Sequence, residues 1–196
     1  MNTNRFLPKI FPLALCLLIL AGFSGCKEDI VHQRSISELN QKAQALMQAG
    51  DYEGAVARLE AAHDLQPDEP NTTYNLAVAY QTKGDYDKAI TIFTQLLQKP
   101  GPDGSPMSSA EIHKDLGITY EAQADKLEAD AKKLAEAPKS DKGKVEQLNI
   151  ESTSALKQAV HHYQEALPGL KNSEEIATQI KAIEAKMQKA ASGAQP

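Results

Sequence analysis

Few residues in this chain carry chemistry by type and spacing alone. His161 and His162 are adjacent, and His161 and Glu165 have the (i, i+4) spacing of two metal ligands on one helix. Neighbouring side chains on a helix point about 100° apart, however, and no third ligand accompanies the pair. His32, His63 and His113 are scattered singles. Serines and aspartates are plentiful but sit where helices and turns begin, their ordinary places. No glycine-rich loop follows a strand, because no strand is predicted. Cys16 lies within an apolar run and reads as a small hydrophobe. Cys26 follows two small residues and is the one thiol in a suggestive setting. These residues assign no catalytic group, no metal and no cofactor, so the chain is read as a non-enzyme.

The elements around these residues are helical by composition. The 196 residues include 28 alanines and no tryptophan, with aromatics at only 5 % and much Gln, Glu, Lys and Leu. At 41 % hydrophobic and 24 % charged, the chain is neither membrane-embedded throughout nor disordered. A net charge of −5 excludes general nucleic-acid binding, which needs a dense basic footprint. With two cysteines, both in the first 26 residues, no disulfide framework is available.

Arg5 and Lys9 are the only charges before Lys27, and an uncharged run of 16 residues from Ile10 to Gly25 follows them. A basic stretch, an apolar core and small residues have the order of a secretory signal, and the run is short of the roughly 20 residues that span a bilayer. Ser24-Gly25-Cys26 resembles the lipobox of bacterial lipoproteins, with Phe23 where that family usually has Leu. The resemblance implies cleavage after Gly25 and lipidation of Cys26, with multiple acyl chains supplying a durable membrane tether. It further implies, through Lys27 next to the Cys, an outer-membrane destination facing the periplasm, or the cell membrane where no outer membrane exists. An ordinary cleaved signal and a retained anchor are the alternatives. Residues 1–25 are thus a signal peptide, and 26–35 a lipidated Cys and polar tether. Without residues 1–25 the chain holds 19 basic and 26 acidic residues, a net charge of −7.

Beyond the tether the dominant signal is an internal repeat. Gly50-Asp51-Tyr52 recurs as Gly84-Asp85-Tyr86, an offset of 34 residues. At the same offset Ala43 pairs with Ala77, Leu46 with Tyr80, Ala55 with Ala89, Val56 with Ile90 and Leu59 with Phe93. Small columns suit close helix crossings, and large ones fill the space between helix pairs. Gly50 and Gly84 suit left-handed helix stops, with Asp51 and Asp85 capping the next helix. Ser35 to Glu38 reads as a capping box, and helices are predicted at about 36–48, 52–65, 71–83 and 86–98. A third copy opens with a capping box at Ser108 and Glu111, then Leu116-Gly117-Ile118-Thr119-Tyr120. Its second-helix signature waits until Ala159-Val160, 43 residues after Leu116, whereas Leu76 to Ala89 is 13. Thirty residues are therefore inserted. Apolar stripes through Leu127, Ala131 and Leu134, and back through Val145, Leu148 and Leu156, predict a protruding helical hairpin, with Ser152 a weak spot. A disordered insert is the alternative. Asn172 and Glu175 can cap a last helix bearing Ile176, Ile180, Ile183 and Met187, suited to covering the final pair.

The segment Tyr74 to Tyr80 followed by Gly84 to Ile90 resembles the tetratricopeptide repeat (TPR) family. The resemblance implies an all-α fold: helix-turn-helix repeats in a short right-handed solenoid, a third repeat with an extended helical hairpin, and a C-terminal capping helix. The domain reading is repeat 1 at 36–69, repeat 2 at 70–103, repeat 3 at 108–171 with the hairpin insertion at about 125–154, and a capping helix and polar tail at 172–196. Family geometry places Asn40, Gln44, Met47, Gln48, Asn71, Tyr74, Asn75, Val78, Gln81, Lys114, Ile118 and Glu121 on the concave groove. Glu111, Asp115 and Glu121 oppose Lys114 there, which disfavours a clamp for acidic chain termini. The expectation is an adaptor that binds an extended peptide or helix from a protein partner in the cell envelope, tied to the membrane by lipid. Self-assembly through stacked terminal helices is the rival, and the sequence sets no oligomeric state. A third reading uses Lys132, Lys133, Lys139, Lys142 and Lys144, a local +3 at the hairpin tip, to meet an anionic wall polymer or lipid.

Overall fold

The computed structural model describes residues 23–101, 105 and 107–192. Most of the signal-like segment, residues 1–22, lies outside these, as does the polar end 193–196. Seven α-helices account for the described chain, with no strand beyond an isolated bridge between Gly101 and Ser108. Among the described residues no helix is long and apolar enough to cross a membrane.

Helix α1 (Phe23–Gln48) starts well before the predicted position 36, so the 26–35 segment read as a tether is helical. From Cys26 to Ala49 there is neither Gly nor Pro, and straight-chain residues such as Lys27, Glu28, Gln33 and Arg34 continue the helix. The Ser35–Glu38 box therefore lies inside a helix rather than opening one. Ile36 and Ala43 face the core from its second half.

Helices α2 (Tyr52–Leu65), α3 (Pro70–Lys83) and α4 (Tyr86–Leu96) follow in tight antiparallel turns. Gly50 and Gly84 take φ of 78° and 89°, conformations that a side chain would oppose. At the first stop Gly50 N donates to Met47 O (3.1 Å) and Asp51 N to Leu46 O (2.9 Å). Gly84 N to Gln81 O (3.1 Å) and Asp85 N to Tyr80 O (2.9 Å) repeat the same pair of bonds. Asp51 caps α2 by accepting from Gly54 N at 2.9 Å. Asp85 does not cap α4, because Lys83 takes its carboxylate at 2.9 Å. Glu69, unforeseen in this role, caps α3 by accepting from Thr72 N, and Pro70 fits the first turn, where its missing N–H costs nothing.

The long pair is α5 (Ser109–Ala135) and α6 (Lys142–Ala166). Ser108 caps α5 through Glu111 N, and Asp141 caps α6 through Lys144 N at 3.1 Å. At 27 residues α5 is about 40 Å long, so the insertion is an ordered hairpin. The weak spot Ser152 is accommodated: it is buried and donates to Ala124 O at 3.0 Å. A short 3₁₀ turn (Leu167–Gly169) leads to α7 (Ser173–Ala191), whose Asn172 makes no side-chain cap bond.

Two clusters form the core. One joins Ala43, Leu59, Leu76, Ala77, Ala89, Phe93, Ile112 and Leu116, and the other Ala124, Leu156, Ala159, Tyr163, Ile180 and Ile183. Tyr120 packs against both. The small column positions Ala55, Ala77 and Ala89 are fully buried, as a close crossing requires.

Candidate functional site

The inner faces of α1, α3 and α5 carry the groove read from the sequence, and about half of its residues are used to hold those helices together. Asn40 Nδ2 donates to Thr72 Oγ1 at 2.8 Å, joining α1 to α3. Between α3 and α5, Tyr74 OH donates to Asp115 Oδ2 at 2.7 Å. Gln81 Nε2 reaches Thr119 Oγ1 at 2.8 Å and Asp115 O at 3.1 Å. Tyr74 also sets its ring edge-on to Phe93, centroids 5.9 Å apart. Burial first, then the hydrogen bond and charge of Asp115, raises the Tyr74 phenol well above its ordinary value. Burial likewise raises the Asp115 carboxyl, against the stabilising pull of Tyr74 and Lys114. Met47 and Val78 pack on the core. Lys114 is paired with Glu111. Glu121 accepts from Tyr163 OH at 2.8 Å and from Gln179, so it fastens α5 to α6 and α7.

What remains available is a polar strip with one apolar spot. Gln44 and Gln48 are exposed and have no partner among the described residues. Asn75 is exposed, and its Nδ2 donates to Asn40 Oδ1 at 3.5 Å. Asn71, at the rim, bonds back to Glu69 at 2.8 Å. In Glu69 itself, burial pushes upward, but the bonds from Thr72 and Asn71 outweigh it and hold the carboxyl below its ordinary value. Ile118 is 41 % exposed. Primary amides spaced along a rigid surface donate to and accept from a peptide backbone, and Ile118 gives one apolar anchor.

The histidines are arranged differently from the sequence reading. His161 is exposed, and among the described residues no three His, Cys, Asp or Glu side chains are placed to hold a metal. Instead His113 and His162 meet across α5 and α6 with their Nδ1 atoms 3.0 Å apart. Tyr120 stacks on His162, the rings 7° from parallel at 5.5 Å. Burial first, then the neighbouring His113 and His161, pushes His162 down to about 4. Burial also lowers His113, with Glu165 working the other way. A signal for this pairing existed. Carrying the repeat register through, His113 falls at the position of Thr73 and His162 at that of Ile92, which lie on the two helices of one pair.

At the hairpin tip all five lysines are exposed and, among the described residues, free of ion pairs. The arm stands less freely than a bare hairpin, because Lys186 of α7 bridges Asp125 (2.9 Å) and Glu128 (2.7 Å) on α5.

Stacked helix pairs with glycine stops, alanine crossings and a polar inner face define a helical-repeat solenoid, a class that presents a fixed surface to other molecules. Residues 46–110 match the family model of the tetratricopeptide repeat, so this segment carries TPR repeats, within a described chain that is all-α. Among curated proteins, none matches the chain.

Proposed function

We propose that this protein is a membrane-anchored TPR adaptor that holds a segment of an envelope protein in its concave groove. One observation carries the reading: Gln44, Gln48, Asn75 and Ile118 stay exposed on a face where Asn40, Tyr74, Gln81 and Glu121 are consumed in cross-helix bonds. A surface fixed in advance loses little freedom on binding, which favours an extended peptide or a helix laid along it. The anchor is Cys26, lipidated after cleavage at Gly25. Ile36 lies ten positions further along the same helix, about 15 Å away. Adaptor work of this kind needs no catalytic group.

The test places a photo-reactive amino acid in cells at Ile118, and separately at Ile150, which is 55 % exposed on the far hairpin. A discrete adduct from position 118, absent from 150 and lost when Gln44 and Asn75 become Ala, supports the groove. Identical adducts from both positions refute it. In the same cells Cys26→Ala should remove covalent lipid and shift the protein out of the membrane fraction, and retention of both would refute the anchor.

A further inference from the structure

On the opposite side of α3 from the groove, a cleft of about 430 Å³ opens between α2, α3 and α4. Its floor is Leu76 and Tyr80 of α3 with Ile92 of α4. At 100° per residue these two α3 positions lie about half a turn from Tyr74 and Val78, so cleft and groove do not share a surface. Its rim carries three carboxylates, Glu60, Asp64 and Asp87, against one lysine, Lys88. His63 also lines it, with its Nδ1 3.3 Å from Thr73 Oγ1. Two of the carboxylates have local partners: Glu60 accepts from Tyr80 OH, and Asp87 accepts from Gln123 at 2.8 Å. Asp64 has none among the described residues.

The cleft already displays what it recognises. Lys88 Nζ lies 4.7 Å from the centre of the Tyr80 ring and 3.5 Å from its hydroxyl. An ammonium over an aromatic face, within a negative rim, is a cation–π site. Lys88 holds this place over a tyrosine that is itself only 5 % exposed, while its own side chain is exposed and the cleft opens beside it.

We infer that this cleft receives a lysine or arginine side chain from a protein partner, with Lys88 as the intramolecular occupant that the partner displaces. The rim's excess of two negative charges selects a cation, and excludes phosphates and anionic lipid. Leu76 and Ile92 beside the tyrosine take the aliphatic stem of that side chain or an apolar neighbour. The solenoid thereby has a second contact face, so a partner held in the groove and a basic segment on the back can bind together.

The experiment uses the full chain and a fluorescein-labelled decapeptide of alternating lysine and leucine, read by fluorescence anisotropy. Lys88→Gln frees the tyrosine face and should tighten binding about threefold to tenfold. Lys181→Gln, the same charge change on exposed α7, should shift it less than about twofold, as expected of a screened distant charge. The double change Glu60→Gln, Asp64→Asn should weaken binding about fivefold or more while helix content stays constant, since the amide oxygen introduced at position 60 can still accept from Tyr80. Equal shifts from Lys88→Gln and Lys181→Gln, or no loss in the double variant, would reduce the binding to general attraction and overturn the inference. Weakened binding on Ile118→Asp would put the peptide in the groove and overturn it too. None of these outcomes alters the photo-adduct at position 118, so this inference and the groove reading fail separately.

Discussion

Gly117 of α5 lies directly against the Tyr163 ring of α6, and replacing it by alanine sets two effects against each other. Inside a helix alanine is favoured over glycine by about 1 kcal/mol. A Cβ at position 117, however, would stand 2.5 Å from both Cδ1 and Cε1 of Tyr163 and 2.9 Å from its Cγ. Ordinary carbon contacts lie near 3.5–4.0 Å, so ring or helix must move by about 1 Å. The ring has little room to move. Tyr163 is 2 % exposed and its hydroxyl is held by Glu121 at 2.8 Å. Separating α5 from α6 instead loosens Leu116, Ala159 and the second core cluster. Overpacking of this kind costs about 1–3 kcal/mol, here at the upper end because three ring atoms are struck. The net expectation is a loss of about 1–2 kcal/mol, seen as a lower urea midpoint with an unchanged slope. Gly143→Ala supplies the control: its Cβ would meet only Asp141 Oδ1 at 3.4 Å, so stability should hold or rise. A Gly117→Ala midpoint at or above the parent's would refute the reasoning.

The His162 imidazole should make stability fall in mild acid. Its value is pushed from 6.5 to about 4 in the fold, so between these values the unfolded chain binds the extra proton; the stabilisation is full above about 6.5 and drains as pH falls towards 4. With the ring only half-buried, solvent screening cuts the effect to about 1–2 kcal/mol. His162→Gln should flatten thermal midpoints between pH 6.5 and 4 by about 2–8 °C relative to the parent, and parallel curves would argue against the assignment. Ala89→Leu, at a fully buried crossing, should lower the urea midpoint by about 1–3 kcal/mol equivalent, whereas exposed Lys157→Ala should stay within about 0.5 kcal/mol. Equal midpoints would count against the repeat packing.

Much of this fold was legible because repeats impose the same local solution twice. Glycine at 50 and 84, alanine at 55 and 89, and the matching hydrogen bonds at both stops leave the helix pairs little choice. The hairpin was legible for a different reason: its apolar stripes continue without a stop, and Pro138 to Gly143 offers the only turn. What escaped depends on partners distant in sequence or on signals that compete. The start of α1 was misread because a capping box also occurs inside helices when nothing upstream breaks the chain. Asp85 looked equivalent to Asp51, but Lys83 stands across the turn where repeat 1 has Ala49. His113 and His162 are 49 residues apart, and the inserted hairpin hides the register that joins them.

The site shows the same division, and the insertion explains part of it. Family position selects a face of each first helix, but the neighbouring helix decides whether a residue there serves as glue or as contact. Asn40 finds Thr72, and Gln81 finds Thr119, so both are consumed. Gln44 and Gln48 meet no such partner among the described residues and stay exposed. Glu121 illustrates how the hairpin shifts this balance. The third repeat's helices run on past the turn, and α7 follows them, placing Gln179 at Glu121 and Lys186 at Asp125 and Glu128. The last helix is thus a buttress for the arm as well as a cover for the final pair. By taking Glu121 for that purpose it removes this carboxylate from the inner face, which leaves Gln44, Gln48, Asn75 and Ile118 exposed.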